Sequence, residues 1–129
     1  MHADWGPGLL ESFYRVVLAK SIRRSGLRVD EEYPVSCEYD GDEYRNVFRA
    51  DLLVERSLLV ELKSVETLQP VHSRQVLTYL RVMNLPLGLL LNMGSGLFKE
   101  GTRRILNTRA NQSSLVDYKT VKLGNRAPS

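Results

Sequence analysis

The sequence predicts an α/β (α+β) domain in which helices flank a mixed central sheet. Three observations carry this. Helical, period-two and continuous apolar stretches follow one another as helix, strand, strand, strand, helix, strand. The last helix lies between two strands, as a right-handed crossover to a parallel neighbour requires. The strand after it, Leu87-Gly88-Leu89-Leu90-Leu91-Asn92, is almost wholly apolar, as expected where both faces are covered.

Gly6-Pro7-Gly8 is a breaker cluster, and a helix is expected to start just after it and to stop near Gly26. Leu10, Phe13 and Val17, with Leu9, Val16 and Ile22, form an apolar stripe at helical spacing. Glu11 and Tyr14 share a face of that helix. The plain reading of Glu11 is a first-turn glutamate favoured by the helix dipole. From Val29 to Tyr39 apolar and polar residues alternate, a half-buried strand; Pro34 inside it marks an edge or a break. Asp40-Gly41 turns the chain into a second strand, about Tyr44 to Glu55. A third runs from about Leu58 to Ser64 after Arg56-Ser57, a turn without Gly or Asn that leaves the register open. Gln69-Pro70 opens the second helix, which runs to about Asn84 with Val76, Leu77, Leu80 and Met83 toward the core. His72, Gln75 and Tyr79 share another face of it, His72 as a hydrogen-bonded structural residue. Arg103-Arg104-Ile105-Leu106 is assigned one more helical turn, and a short strand is expected somewhere in Ser114–Leu123.

The length of 129 residues suits one compact domain. With Cys37 as the sole cysteine there is no disulfide framework and no Cys-based zinc or iron–sulfur site, which fits a reducing, cytoplasmic setting. No apolar run is long enough to span a membrane, and Met1-His2-Ala3-Asp4-Trp5 lacks the features of a secretory signal. Residues 1–98 hold 11 Lys/Arg against 13 Asp/Glu, whereas residues 99–129 hold 7 against 2, so the basic end is either a surface for a polyanion or simply a solvated tail.

The third-strand hairpin carries charge where apolar strands should not. Asp51 sits in Ala-Asp-Leu-Leu-Val, and Glu61 and Lys63 in Leu-Val-Glu-Leu-Lys. An unpaired buried charge costs several kcal/mol, so these groups meet each other, reach water or hold an ion. If the loop is the three residues Glu55 to Ser57, Asp51 lies across from Glu61. Glu61 and Lys63, two apart, point to one face. Facing carboxylates suit Mg²⁺ or Mn²⁺, with the Leu62 carbonyl and Glu11 as further ligands. Such an ion acidifies a water and neutralises phosphodiester charge, and Lys63 beside it stabilises developing charge. Gln75 and Tyr79 would hold Lys63, the water or a phosphate. The plain alternative is a charge-balanced structural pair, which a short pattern of common residues by itself favours; the predicted hairpin, its apolar strands and the helix with Gln75 and Tyr79 argue the other way.

These residues, in this order, resemble the PD-(D/E)XK nuclease superfamily. Gln75-Val76-Leu77-Thr78-Tyr79 is similar to the Gln-x-x-x-Tyr motif of its exonuclease-like branch. Gly8-Leu9-Leu10-Glu11-Ser12-Phe13-Tyr14 resembles the signature of the small "GxxExxY" proteins placed in that superfamily, and their course of motifs is followed from about Gly6 to Leu106, with Phe48 where they have Tyr. The resemblance implies a restriction-endonuclease-like αβββαβ core over residues 1–106; residues 107–129, outside it, read from their composition as a polar, basic extension. It implies a Mg²⁺- or Mn²⁺-dependent nuclease acting on nucleic acid, DNA first. Asp51, Glu61 and Lys63 are then catalytic, supported by Gln75 and Tyr79, and Glu11, Asp51, Glu61 and Leu62 hold the metal. Arg103 and Arg104, with Arg109 and the tail, are the expected nucleic-acid contacts, from their charge. A module that keeps the fold and binds nucleic acid without cleaving it is the competing expectation.

Overall fold

The computed structural model describes residues 7–95, 101–108 and 120–122. The chain runs α1 (Pro7–Arg24), β1 (Val29–Tyr39), β2 (Asp42–Val54), β3 (Leu58–Lys63), α2 (Pro70–Met83), β4 (Leu87–Asn92), a 3-10 turn (Met93–Ser95), β5 (Thr102–Leu106) and β6 (Thr120–Lys122). The sheet has the order β5-β4-β3-β2-β1-β6. β3 and β4 are parallel, as are β1 and β6; the other neighbours are antiparallel. The expected αβββαβ order and mixed sheet are therefore present. Among the described residues, no helix is long and apolar enough to cross a membrane.

A core lies on each face of the sheet. Ala19 of α1 packs with Val29, Leu52, Val54, Val60, Leu62, Leu91 and Met93. Val76, Leu80 and Met83 of α2 pack with Val35, Cys37, Ala50, Leu53, Leu59 and Leu90 on the other face. β3 alternates between them, Leu59 to α2 and Val60 and Leu62 to α1. That parity puts Glu61 and Lys63 on the α2 face.

The ends of the helices follow local chemistry. After α1, Gly26 takes φ +96, a region open to glycine, and its N–H donates to the Arg23 carbonyl. At the start of α2, the Gln69 N–H donates to His72 Nδ1 at 2.8 Å, the expected structural role for His72. α2 stops at Asn84, in a left-handed conformation, just before Pro86. Asn107 then donates its side-chain amide to the carbonyls of Leu80 and Leu85, tying β5 to that end.

The β2–β3 hairpin has the three-residue loop that sets the register. Val54 pairs with Leu58, Leu53 with Leu59 and Leu52 with Val60. Glu55 and Arg56 both have positive φ, as in primed hairpin turns, though neither is Gly or Asn. Contacts to the start of β1 offset that strain: Glu55 N–H to the Arg28 carbonyl, and Arg28 N–H to the Glu55 carboxylate.

Four expectations need correction. On α1, Leu9, Phe13, Val16 and Val17 are exposed. The face toward the sheet carries Leu10, Tyr14, Leu18, Ala19 and Ile22 together with half-buried Glu11 and Arg15. The expected apolar stripe left this face unread, and tertiary partners satisfy its two charges. Glu11 also falls in the second turn, because the helix already begins at Pro7, so the first-turn dipole account does not apply. Arg103 to Leu106 form strand β5 rather than a helical turn, because β4 offers them an unpaired edge. Leu77 is only partly buried; Val82 takes the core place instead. Pro34 is accommodated because the ladder from β1 to β6 begins only at Ser36.

Candidate metal and phosphodiester site

The site grows from a fault in the sheet. In β1, Val29 belongs to the α1 core but Tyr33, Val35 and Cys37 to the α2 core. In β2, Val54 and Leu52 belong to the α1 core but Ala50 and Phe48 to the α2 core. Residues two apart ordinarily share a face, so both strands change face. They do so at facing positions, Glu32 and Asp51, which lie between the paired residues Glu31–Leu52 and Tyr33–Ala50. Glu32 marks the bend with φ +48.

At this bend side chains replace the regular ladder between β2 and β3. The Asp51 N–H donates to Glu61 Oε2 at 2.9 Å, and the Leu62 N–H donates to Asp51 Oδ2 at 2.8 Å. Glu61 is 6 % exposed, and the pairing places it across from Asp51. Burial raises the Glu61 carboxyl to about 8, and the nearby Asp51 charge adds to this; backbone and Lys63 contacts only partly oppose it. Burial also raises Asp51, against the Leu62 N–H and the Lys63 and Arg15 charges. With its proton, Glu61 hydrogen-bonds to the Asp51 carboxylate. Two carboxylates this close cannot both ionise cheaply without a cation.

Glu11 reaches the same place from α1. Its carboxylate accepts the Ser64 N–H, and burial raises it, opposed by Lys63 and that bond. Tyr79 arrives from α2, its ring stacked on Phe48 at 3.9 Å between centroids and 6° between planes. Burial and the charges of Glu61 and Asp51 raise its hydroxyl. Gln75 is exposed, one turn before Tyr79. Behind Ser64, Asn92 Oδ1 accepts the N–H of Val65 and of Gly94. A Cβ on Gly94 would lie 2.5 Å from the Val65 carbonyl oxygen, so only glycine lets these segments meet.

The structure thus gathers Glu11, Asp51, Glu61, Lys63 and Tyr79, with the Leu62 backbone between Glu61 and Lys63. It separates the two arginines. Arg103 pairs with Leu90, which pairs with Glu61, so Arg103 stands on the α2 face in one row with the carboxylates. Arg104 pairs with Leu89 and faces the α1 side. Arg109 lies outside the described residues. Among the described residues, no group of three or more His, Cys, Asp or Glu side chains is placed to hold a metal.

Two neighbours of the site escaped the sequence reading. Phe48 is the stacking partner of Tyr79. Arg15, four residues after Glu11, is bonded to Glu31 at 2.7 Å and lies near Asp51. The i, i+4 spacing of Glu11 and Arg15 was the available signal.

Residues 1–105 match the family model of the PD-(D/E)XK nuclease superfamily. Among solved structures, the chain is similar to the crystal structure of SSO0001, with a TM-score of 0.56 and 17 % identity. That match covers 78 % of this chain and 52 % of the other, so this chain spans about half its length. The likeness is one of fold. No curated protein matches the chain.

Proposed function

Because this chain belongs to the PD-(D/E)XK nuclease superfamily, we propose that it is a divalent-metal-dependent nuclease that hydrolyses phosphodiester bonds of nucleic acid, DNA first, in a reducing cytoplasm. Its motif course resembles that of the GxxExxY proteins, which supports reading it as one of them within that superfamily. The carrying observation is the pairing of half-buried Asp51 with buried Glu61, with Lys63 two residues along on the face of Glu61.

The donor set fits Mg²⁺ or Mn²⁺. Both carboxylates are hard oxygen donors, and their mutual proximity and burial favour a cation between them. Two protein carboxylates are enough for Mg²⁺, which keeps several waters. Asp51 and Glu61 would hold the ion, with the Leu62 carbonyl and Glu11 adding to it. Bound there, it would supply charge neutralisation at the phosphodiester and a more acidic water. Lys63 would stabilise the negative charge that develops on the phosphate. The Tyr79 hydroxyl and Gln75 would orient the water or a phosphate oxygen, and Arg103 would bind the backbone beyond it.

The test is cleavage of single- and double-stranded DNA and RNA with Mg²⁺ or Mn²⁺. Lys63→Ala and Asp51→Ala are each expected to lower the rate by roughly 10²–10³-fold. Cleavage untouched by both changes would sink the assignment. A binding module without cleavage is the second reading, favoured by the lack of a three-ligand cluster among the described residues. It predicts no heat of Mn²⁺ binding, and nucleic-acid affinity that falls with salt.

A further inference from the structure

The bend that brings Asp51 to Glu61 needs something to hold it. Glu32 has positive φ without being Gly, Asn or Asp, a costly conformation that persists only where its surroundings impose it. The group that reaches both residues of the bend is Arg15. Its Nη1 bonds Glu31 Oε1 at 2.7 Å and its Nη2 lies 3.5 Å from Glu32 Oε2. The Arg15 side chain is 15 % exposed and Glu31 26 %, so this arm of the fork is shielded more than a surface pair, whereas the longer arm ends on Glu32, which is 49 % exposed. Arg23 also bonds Glu31, at 2.8 Å, but is 47 % exposed and makes its other bond to the Val29 carbonyl, before the bend.

We propose that Arg15 is a positioning residue for the carboxylate site: its guanidinium ties α1 to the Glu31–Glu32 bend, and the bend sets where the facing strand turns Asp51 toward Glu61 and Leu62. Glu11 and Arg15 are one turn apart on α1, so a single helix face carries both a group at the site and the clamp behind it. Arg15 acts through Asp51 and touches no reacting atom. The link to metal and catalysis rests on the function proposed above; the effect on Asp51 geometry does not.

The experiment is metal-free amide hydrogen exchange at one pH, followed by NMR, on wild type, Arg15→Gln, Arg15→Lys and Arg23→Gln. The Leu62 and Asp51 amides report directly on the two carboxylate bonds. In Arg15→Gln they are expected to exchange at least about tenfold faster, with Leu59 and Leu90 unchanged. Arg15→Lys restores part of the protection, because it returns the charge but not the fork. Arg23→Gln behaves as wild type. Unchanged exchange at Leu62 and Asp51, or an equal rise at every slow amide, would overturn the proposal. Calorimetry with Mn²⁺ is the second readout, with affinity expected to weaken about 10–100-fold in Arg15→Gln. A wild type that binds no Mn²⁺ would count against the metal site alone, while the exchange data still decide the role of Arg15.

Discussion

Asp51 and Glu61 complete each other's strands: the carboxylate of Glu61 accepts the Asp51 N–H, and the carboxylate of Asp51 accepts the Leu62 N–H. Each acid therefore does the work of a backbone carbonyl. The arrangement costs little in hydrogen bonds and much in charge, since Glu61 is removed from water and Asp51 partly so.

That charge makes stability depend on pH. Folded, Glu61 holds its proton up to about 8; unfolded, it loses it near 4.5. Between these values the folded state carries the extra proton, so stability falls as pH rises, and the Asp51 shift acts in the same direction. The melting temperature of metal-free protein should drop from pH 4.5 toward pH 8. Glu61→Gln should flatten the slope, as should saturating Mn²⁺ in the wild type. A calorimetric series that gives the same slope for wild type and Glu61→Gln would contradict this.

The Phe48–Tyr79 stack separates packing from chemistry. Tyr79→Phe keeps the rings and removes the hydroxyl, so melting should barely move while cleavage falls. Tyr79→Ala should cost roughly 2–3 kcal/mol, less than a full core truncation because Tyr79 is only partly buried. Denaturant midpoints of the two variants measure the difference.

Close approach at Gly94 should be intolerant. Its added Cβ meets backbone atoms of Val65, which cannot rotate away. Gly94→Ala is expected to destabilise by about 1–3 kcal/mol. Asn92→Ala should cost a similar amount by orphaning the Val65 and Gly94 N–H groups. Both should shift the Ser64 amide resonance, since that N–H serves Glu11.

The outer face of α1 offers the opposite test. Val16 and Val17 are 52 % and 46 % exposed, so Val16→Ser and Val17→Ser should each change stability by less than about 0.5 kcal/mol. Large losses in thermal melts would return these side chains to the core.

Much of the fold is legible in local chemistry. Gly26, Pro70, Asn84-Leu85-Pro86 and the apolar Leu87–Asn92 run mark where elements begin, end or lie buried, because they act through backbone preference and period. The charged hairpin is legible too: Asp51, Glu61 and Lys63 violate an apolar pattern, and a three-residue loop aligns the two acids. Hydropathy misplaced the buried face of α1, because Glu11 and Arg15 face inward only when Ser64 and Glu31 are there to receive them. Arg103 and Arg104, adjacent in sequence, fall on opposite faces once β4 recruits them as a strand. What only the tertiary structure decided is the face change at Glu32 and Asp51. A period-two pattern assumes an unbroken pleat, and the break lies where Glu31 and Glu32 meet Arg15, a neighbour sixteen residues and more away in the chain.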